Sequence, residues 1–195
     1  MIETSGDAAA AGLRIIEDEV LNIFNKLTLH VYMCDSEEFI EYLIGNLEKY
    51  QTPNCVLQII PKNFVVSMKH IKLAAYLTFK AFDKKRNISK KKHIELLLYL
   101  LGERQIGKVI EKIRRLGRAP YLIILACRDV ATNAEEIVRK ARLQDYCSRL
   151  EYTDRRDPLE ASIDINVVKS LFGLRENDDI VKSVLCKISL LILQT

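Results

Sequence analysis

Pro120-Tyr121-Leu122-Ile123-Ile124-Leu125-Ala126-Cys127 decides how the rest of the chain is read. After the proline, every position is apolar or aromatic. A strand with one face in water alternates, whereas a strand that never alternates is covered on both faces. The run is therefore expected to be a central strand between two layers of helix. It is far shorter than the ~20 residues that a membrane-crossing helix requires.

Working outward, further strands are expected at Leu13–Ile16, Leu27–Met33, Val56–Ile60 and, from a weaker pattern, Leu150–Thr153. Helical periodicity fills the intervals. Ser36 or Asp35 caps a helix whose core positions are Phe39, Ile40, Leu43, Ile44 and Leu47, and Asp35-x-x-Glu38 has capping-box form. A second helix is expected from about Met68 to Lys84, and a third capped by Ser89. A fourth is defined by Ile106, Val109, Ile110 and Ile113 at i, i+3, i+4, i+7 spacing. Thr132-x-x-Glu135 opens a fifth that ends near Leu143. A short helix follows at about Asn166–Phe172, stopped by Gly173, and a last one at about Asp178–Leu193. The alternation predicts an α/β single domain, a small mixed β-sheet flanked by about seven helices. Residues 1–12 read as a flexible lead-in, with the domain occupying 13–195.

The chain has 195 residues, 49% of them apolar and 29% charged, enough for a sizeable core in a soluble protein. Its acidic N-terminus, Met1-Ile2-Glu3-Thr4-Ser5-Gly6-Asp7, lacks the basic start of a secretory signal. A cytoplasmic location, also nuclear in a eukaryote, is the expectation, with no membrane association. Five scattered cysteines, with no Cys-x-x-Cys, argue against a disulfide framework and a zinc site, and read as buried free thiols.

The charge is unevenly placed. From Lys84 to Arg118 there are 12 Lys and Arg against 3 Glu (Glu95, Glu103, Glu111), a local +9 in a chain whose total is +4. The excess begins in Lys84-Lys85-Arg86 and Lys90-Lys91-Lys92-His93. It continues in Arg104, Lys108, Lys112, Arg114, Arg115 and Arg118. A Lys-rich turn is ordinarily a solvated surface, but this excess exceeds what solubility needs and points to a polyanion, nucleic acid above all. Tyr76, Phe79, Phe82 and Tyr99 lie nearby, and core packing is the better reading for each than base stacking.

The terminal helix is the second distinctive element. Ile180, Val181, Val184, Leu185, Ile188, Leu191 and Ile192 span an arc of roughly 140°, wider than the ~100° that burial needs. Simple burial remains one reading. The other has one edge packed inside while the second meets a protein partner. No catalytic constellation, phosphate loop or metal motif is present in the sequence. His30 reads as structural, His93 as an added donor in the basic turn, and Asp154-Arg155-Arg156-Asp157 as a solvated loop.

Two blocks then resemble a known family, the smallest core subunit of the KEOPS tRNA-modification complex, the kinase-binding TPRKB family. The first block is Ala74-Ala75, the basic turn with Ser89-Lys90, then Glu95-Leu96 and Ile106. The second is Val168-Lys169-x-Leu171-Phe172-x-Leu174 followed by Lys187-Ile188. Ser89-Lys90 stands where the family has Thr-Arg, which keeps hydroxyl and charge but loses bidentate phosphate geometry. The Arg usual in the terminal helix is Lys187. The resemblance implies a non-catalytic subunit with no cofactor and no small-molecule substrate. It would bind and regulate the small atypical kinase/ATPase of KEOPS through its terminal helix. It would also help dock tRNA, at the 3′ CCA end, for N6-threonylcarbamoyladenosine formation.

With that implication, Lys84, Lys85, Arg86, Lys90, Lys91 and Lys92 are the expected RNA contacts, extended by Arg114 and Arg115. Val181, Val184, Leu185, Lys187, Ile188 and Ile192 are the expected kinase surface, and Glu95 fixes the helix after the turn. The open alternatives are a stand-alone RNA-binding protein and a small enzyme using His30, Asp154 or Asp157.

Overall fold

The computed structural model describes residues 27–128, 131–153 and 156–191. The expected strand Leu13–Ile16 and the lead-in at 1–12 lie outside the described residues, as do Asp154, Arg155, Ile192 and Leu193. Four strands form one sheet: β1 (Leu27–Cys34), β2 (Cys55–Pro61), β3 (Tyr121–Arg128) and β4 (Ser148–Arg149), in the order β2-β3-β1-β4. The helices are α1 (Glu37–Asn46), α2 (Met68–Asp83), α3 (Lys92–Leu100), α4 (Ile106–Leu116), α5 (Ala131–Lys140), α6 (Leu143–Tyr146), α7 (Ile165–Phe172) and α8 (Ile180–Leu190). The fold is α/β, as the alternation predicts.

The sheet is antiparallel in every pairing, not mixed. The β1-α1-β2 order suggests parallel neighbours. Instead β3 lies between β1 and β2 and runs against both, so these two share a direction without touching. Helix number differs for a local reason. Arg142 adopts a left-handed conformation (φ 54°), which ends the fifth helix and starts the short α6.

β3 explains its own composition. Leu122, Ile124 and Ala126 join one core with α2, α3, α7 and α8, while Ile123, Leu125 and Cys127 join a second with α1, α5 and α6. Both faces are covered, so no position of the strand needs a polar side chain. Leu150–Thr153 is not a strand; on the side of β1 away from β3 the pairing strand is the two-residue β4, with an isolated bridge from Thr153 to Arg156.

The cysteine reading is corrected at one pair. Cys55 and Cys127 are disulfide-bonded across β2 and β3, where the register sets them directly opposite at a Cα separation of 4.1 Å. They are 72 residues apart in sequence, so only strand pairing reveals the match. Cys34, Cys147 and Cys186 are free; Cys34 is buried, Cys147 half-buried and Cys186 exposed.

Helix starts follow capping chemistry. Ser36, not Asp35, caps α1, its Oγ accepting from Phe39 N at 3.2 Å. Ile44 of α1 points to solvent instead of the core. At α2, Ser67 Oγ accepts from His70 N, and Asp157 Oδ2 accepts from Met68 N at 2.6 Å. Asp157 is therefore no solvated loop residue, because it satisfies an otherwise orphaned first-turn N–H from 89 residues away.

Candidate functional site

Ten residues of the long helix α2 are buried, Ala74 and Ala75 among them. It delivers the chain at Asp83 into the basic turn. There Lys85 takes a left-handed conformation (φ 54°), while Lys85 N and Arg86 N donate to Phe82 O and Ala81 O. This is the geometry of a helix C-terminal motif usually closed by glycine. Cations at a helix C-terminus also meet the negative end of its dipole.

The far side of the turn is held by Glu95 of α3, which has no solvent exposure. Its Oε1 accepts from Ile88 N at 3.1 Å and its Oε2 from Ser89 N at 2.7 Å. Burial pushes its carboxyl above the usual carboxylate range, and the bonds from Ser89 and Ile88 oppose that. Ser89 does not cap α3, whose N-cap is Lys91; its hydroxyl accepts from Lys91 N inside the turn. The turn is thus a rigid loop tied to α3 from beneath.

The cations on it are not equivalent. Lys84, Lys85, Arg86 and Lys90 are exposed, with no side-chain partner among the described residues. Lys91 pairs with Glu48, which also lies 3.8 Å from His93 Nε2. Lys92 turns inward. Its Nζ sits 5.7 Å from the Phe79 and Phe82 ring centres and donates to Pro53 O and Thr52 O. Burial, then nearby Arg128, lowers its pKa, with Asp83 acting in the opposite sense. His93 is buried and offers nothing to a phosphate at the surface. Tyr76, Phe79 and Tyr99 are core residues, and Phe82 lies half-buried under the Lys92 amine.

Arg114 and Arg115 do not continue this cluster. The turn lies at the start of β2, as the Lys92–Pro53 bond shows, and Arg128 at the end of β3 ties to Asp83 at 2.6 Å. The C-terminus of α4 lies at the other end of β2, where Asn63 Nδ2 donates to Leu116 O at 2.7 Å. A Cβ on Gly117 would fall 2.9 Å from Pro61 Cγ, so the chain there tolerates no side chain. The six steps of β2 separate the two basic poles by ~20 Å. On α4 itself only Val109 is buried; Ile106 and Ile110 are exposed, contrary to the stripe read from their spacing. Lys112 is half-buried beside Glu103 at 3.7 Å.

α8 shows a divided face. Asp179 caps it, accepting from Lys182 N. Val184, Ile188 and Leu191 are buried, which removes Val184 and Ile188 from any surface available to a partner. Val181 and Leu185 are half-buried along one margin, and Leu190 is 53% exposed. Lys187 Nζ donates to Phe172 O, the end of α7, where Gly173 turns the chain at φ 61°. Its amine therefore serves the α7 C-terminus. Ile192 lies outside the described residues.

Sequence reasoning missed the residues beneath these surfaces. Gln58, buried in β2, donates to His93 O at 2.6 Å. His70, wholly buried, sets Nε2 2.9 Å from Leu100 O and accepts from Val66 N. A polar residue inside an apolar strand was the signal for Gln58; none marked His70.

The family model described as kinase binding protein CGI-121 matches residues 33–191, which takes in the turn, Glu95 and all the described part of α8. No curated protein gives a significant match to the chain.

Proposed function

The chain belongs to the CGI-121 family of kinase-binding proteins, and on that premise we propose that it is a non-catalytic KEOPS subunit. In this reading it holds the small kinase/ATPase on α8 and docks tRNA by its 3′ CCA end. The observation that carries the proposal is the divided face of α8, where the helix is anchored by Val184 and Ile188 while Val181 and Leu185 remain half-buried along one margin. An apolar margin beside an anchored seam is what a helix-in-groove or helix-on-helix partner covers.

The RNA half rests on Lys84, Lys85, Arg86 and Lys90, four exposed cations with no side-chain partner among the described residues, on a turn that Glu95 ties down. Lysines so placed neutralise phosphates without reading sequence. The two surfaces are separated along α3. The basic turn precedes its first residue, whereas Lys187 and Ile188 approach Gly102 just beyond its end. That separation favours simultaneous binding of RNA and kinase.

Two measurements test the reading. Titration with intact tRNA and with tRNA lacking its 3′ CCA, over a salt series, should show tighter binding to the intact form that weakens with salt. Equal affinity for both would reject CCA docking. Co-expression with the small KEOPS kinase should give a stable complex, and its absence would reject the subunit assignment.

A further inference from the structure

The β1–β4 pairing sets Tyr32 opposite Arg149 and Met33 opposite Ser148. One step further along the same register, Cys34 comes opposite Cys147. Leu150 N donates to Val31 O, so, with bonded and non-bonded pairs alternating, Cys34 and Cys147 fall at a non-hydrogen-bonded position three steps away. Opposed Cα atoms at such positions are about 4.5 Å apart, within the ~4.4–6.8 Å that a disulfide spans. Both side chains reach the same face: Cys34 is in the core with α1, α5 and α6, and Cys147 packs against that core. Cys34 Sγ points toward Tyr146 O, the residue before Cys147, at 3.7 Å.

We infer that Cys34 and Cys147 form a reversible second disulfide that clamps β4 and α6 to the end of β1. Cys147, half-buried, is the entry point for an oxidant such as a low-molecular-weight disulfide. Its thiolate attacks one sulfur of glutathione disulfide and expels one glutathione thiolate, leaving a mixed disulfide. Cys34 gives its proton to water and attacks the Cys147 sulfur, expelling a second glutathione thiolate. Two protein thiols are oxidised and one glutathione disulfide is reduced to two glutathiones. Burial, reinforced by Cys34, raises the Cys147 pKa, so the bond should form slowly and faster as pH rises above neutrality.

The bond would also fix Tyr146, the neighbour of Cys147, whose ring stacks on Phe39 at 4.3 Å. Phe39, Tyr42, Arg142 and Tyr146 line a surface groove of about 410 Å³. Oxidation would therefore set the rigidity of that groove, on the opposite side of the sheet from the core that holds α8.

The wild-type chain is incubated with oxidised glutathione, alkylated, and mapped by mass spectrometry without reduction. The expected product is a fragment joining Cys34 to Cys147 that separates with dithiothreitol, accompanied by a higher Tm. Exposed Cys186 reports that the oxidant has acted. Glutathione retained on Cys147, or Cys34 and Cys147 still alkylated after Cys186 has reacted, would overturn the inference. Cys147→Ser should abolish the Tm rise; a rise that persists would equally refute it.

Discussion

Replacing Glu95 should separate the architecture of the basic turn from its charge. In the wild type both carboxylate oxygens are used, one on Ile88 N and one on Ser89 N. Glu95→Ala strands two buried N–H groups. Hydrogen bonds to a charged group contribute roughly 1.5–3 kcal/mol each. The lower value applies here, because burial already disfavours the ionised carboxyl. The expected loss is about 3 kcal/mol, or a fall in Tm of about 6–12 °C for a chain of this size. Glu95→Gln keeps one acceptor but turns an NH₂ toward the second N–H, so about half the loss is expected.

The pH dependence carries a distinct sign. The folded-state pKa of Glu95 is raised, so the folded protein holds this proton more tightly than the unfolded chain. The associated stability is present below the ordinary carboxyl value and declines as pH rises through the folded value. The stability difference between wild type and Glu95→Gln should therefore be largest near pH 4 and shrink above it. Urea denaturation of both chains across that range measures it. A loss below 1 kcal/mol for Glu95→Ala, or a difference independent of pH, would refute the claim that a buried carboxyl organises the turn.

Four further outcomes follow from individual contacts. Burial lowers the pKa of His70 to about 4, so stability is full above pH 6.5 and should fall by about 3 kcal/mol as pH drops through that window. A His70 ring resonance titrating near 6.5 would contradict this. Lys85→Gly should raise stability by about 0.5 kcal/mol in urea denaturation, since glycine relieves a left-handed residue; a loss of stability would count against it. Leu185→Arg should leave a folded chain that no longer co-purifies with the kinase, whereas Ile188→Ala should cost about 2–4 kcal/mol of stability through a core cavity. Retained kinase binding by folded Leu185→Arg would exclude that margin from the interface. Lys84→Glu with Lys90→Glu should weaken tRNA binding at least tenfold and flatten its salt dependence, while Lys92→Ala should chiefly lower Tm; the reverse pattern would overturn the ranking of the cations.

Much of the fold was legible because burial writes itself into local pattern. The unbroken apolar run of β3 announced a strand covered twice, and Gly173 announced the end of α7. The pattern misled where a helix is amphipathic but unpartnered, as at Ile106 and Ile110, because periodicity tells which residues share a face and not whether anything covers it. It also misled at Lys91 and Lys92. Composition counts a cation alike whether it faces solvent, pairs with Glu48 or lies over Phe82.

The sequence by itself determined the α/β class, the approximate positions of every described helix but α6, the concentration of charge between Lys84 and Arg118, and the over-wide apolar terminal helix. These depend on residues within a few turns of one another. Only the tertiary structure decided that β3 lies between β1 and β2 and pairs antiparallel with both, and that Cys55 meets Cys127. It alone brought Asp157 to cap α2, set Arg114 and Arg115 about one strand length (~20 Å) from the turn, and buried Val184 and Ile188. Each is a contact between segments distant in sequence, and such contacts are fixed by register and packing, which no local pattern of residues encodes.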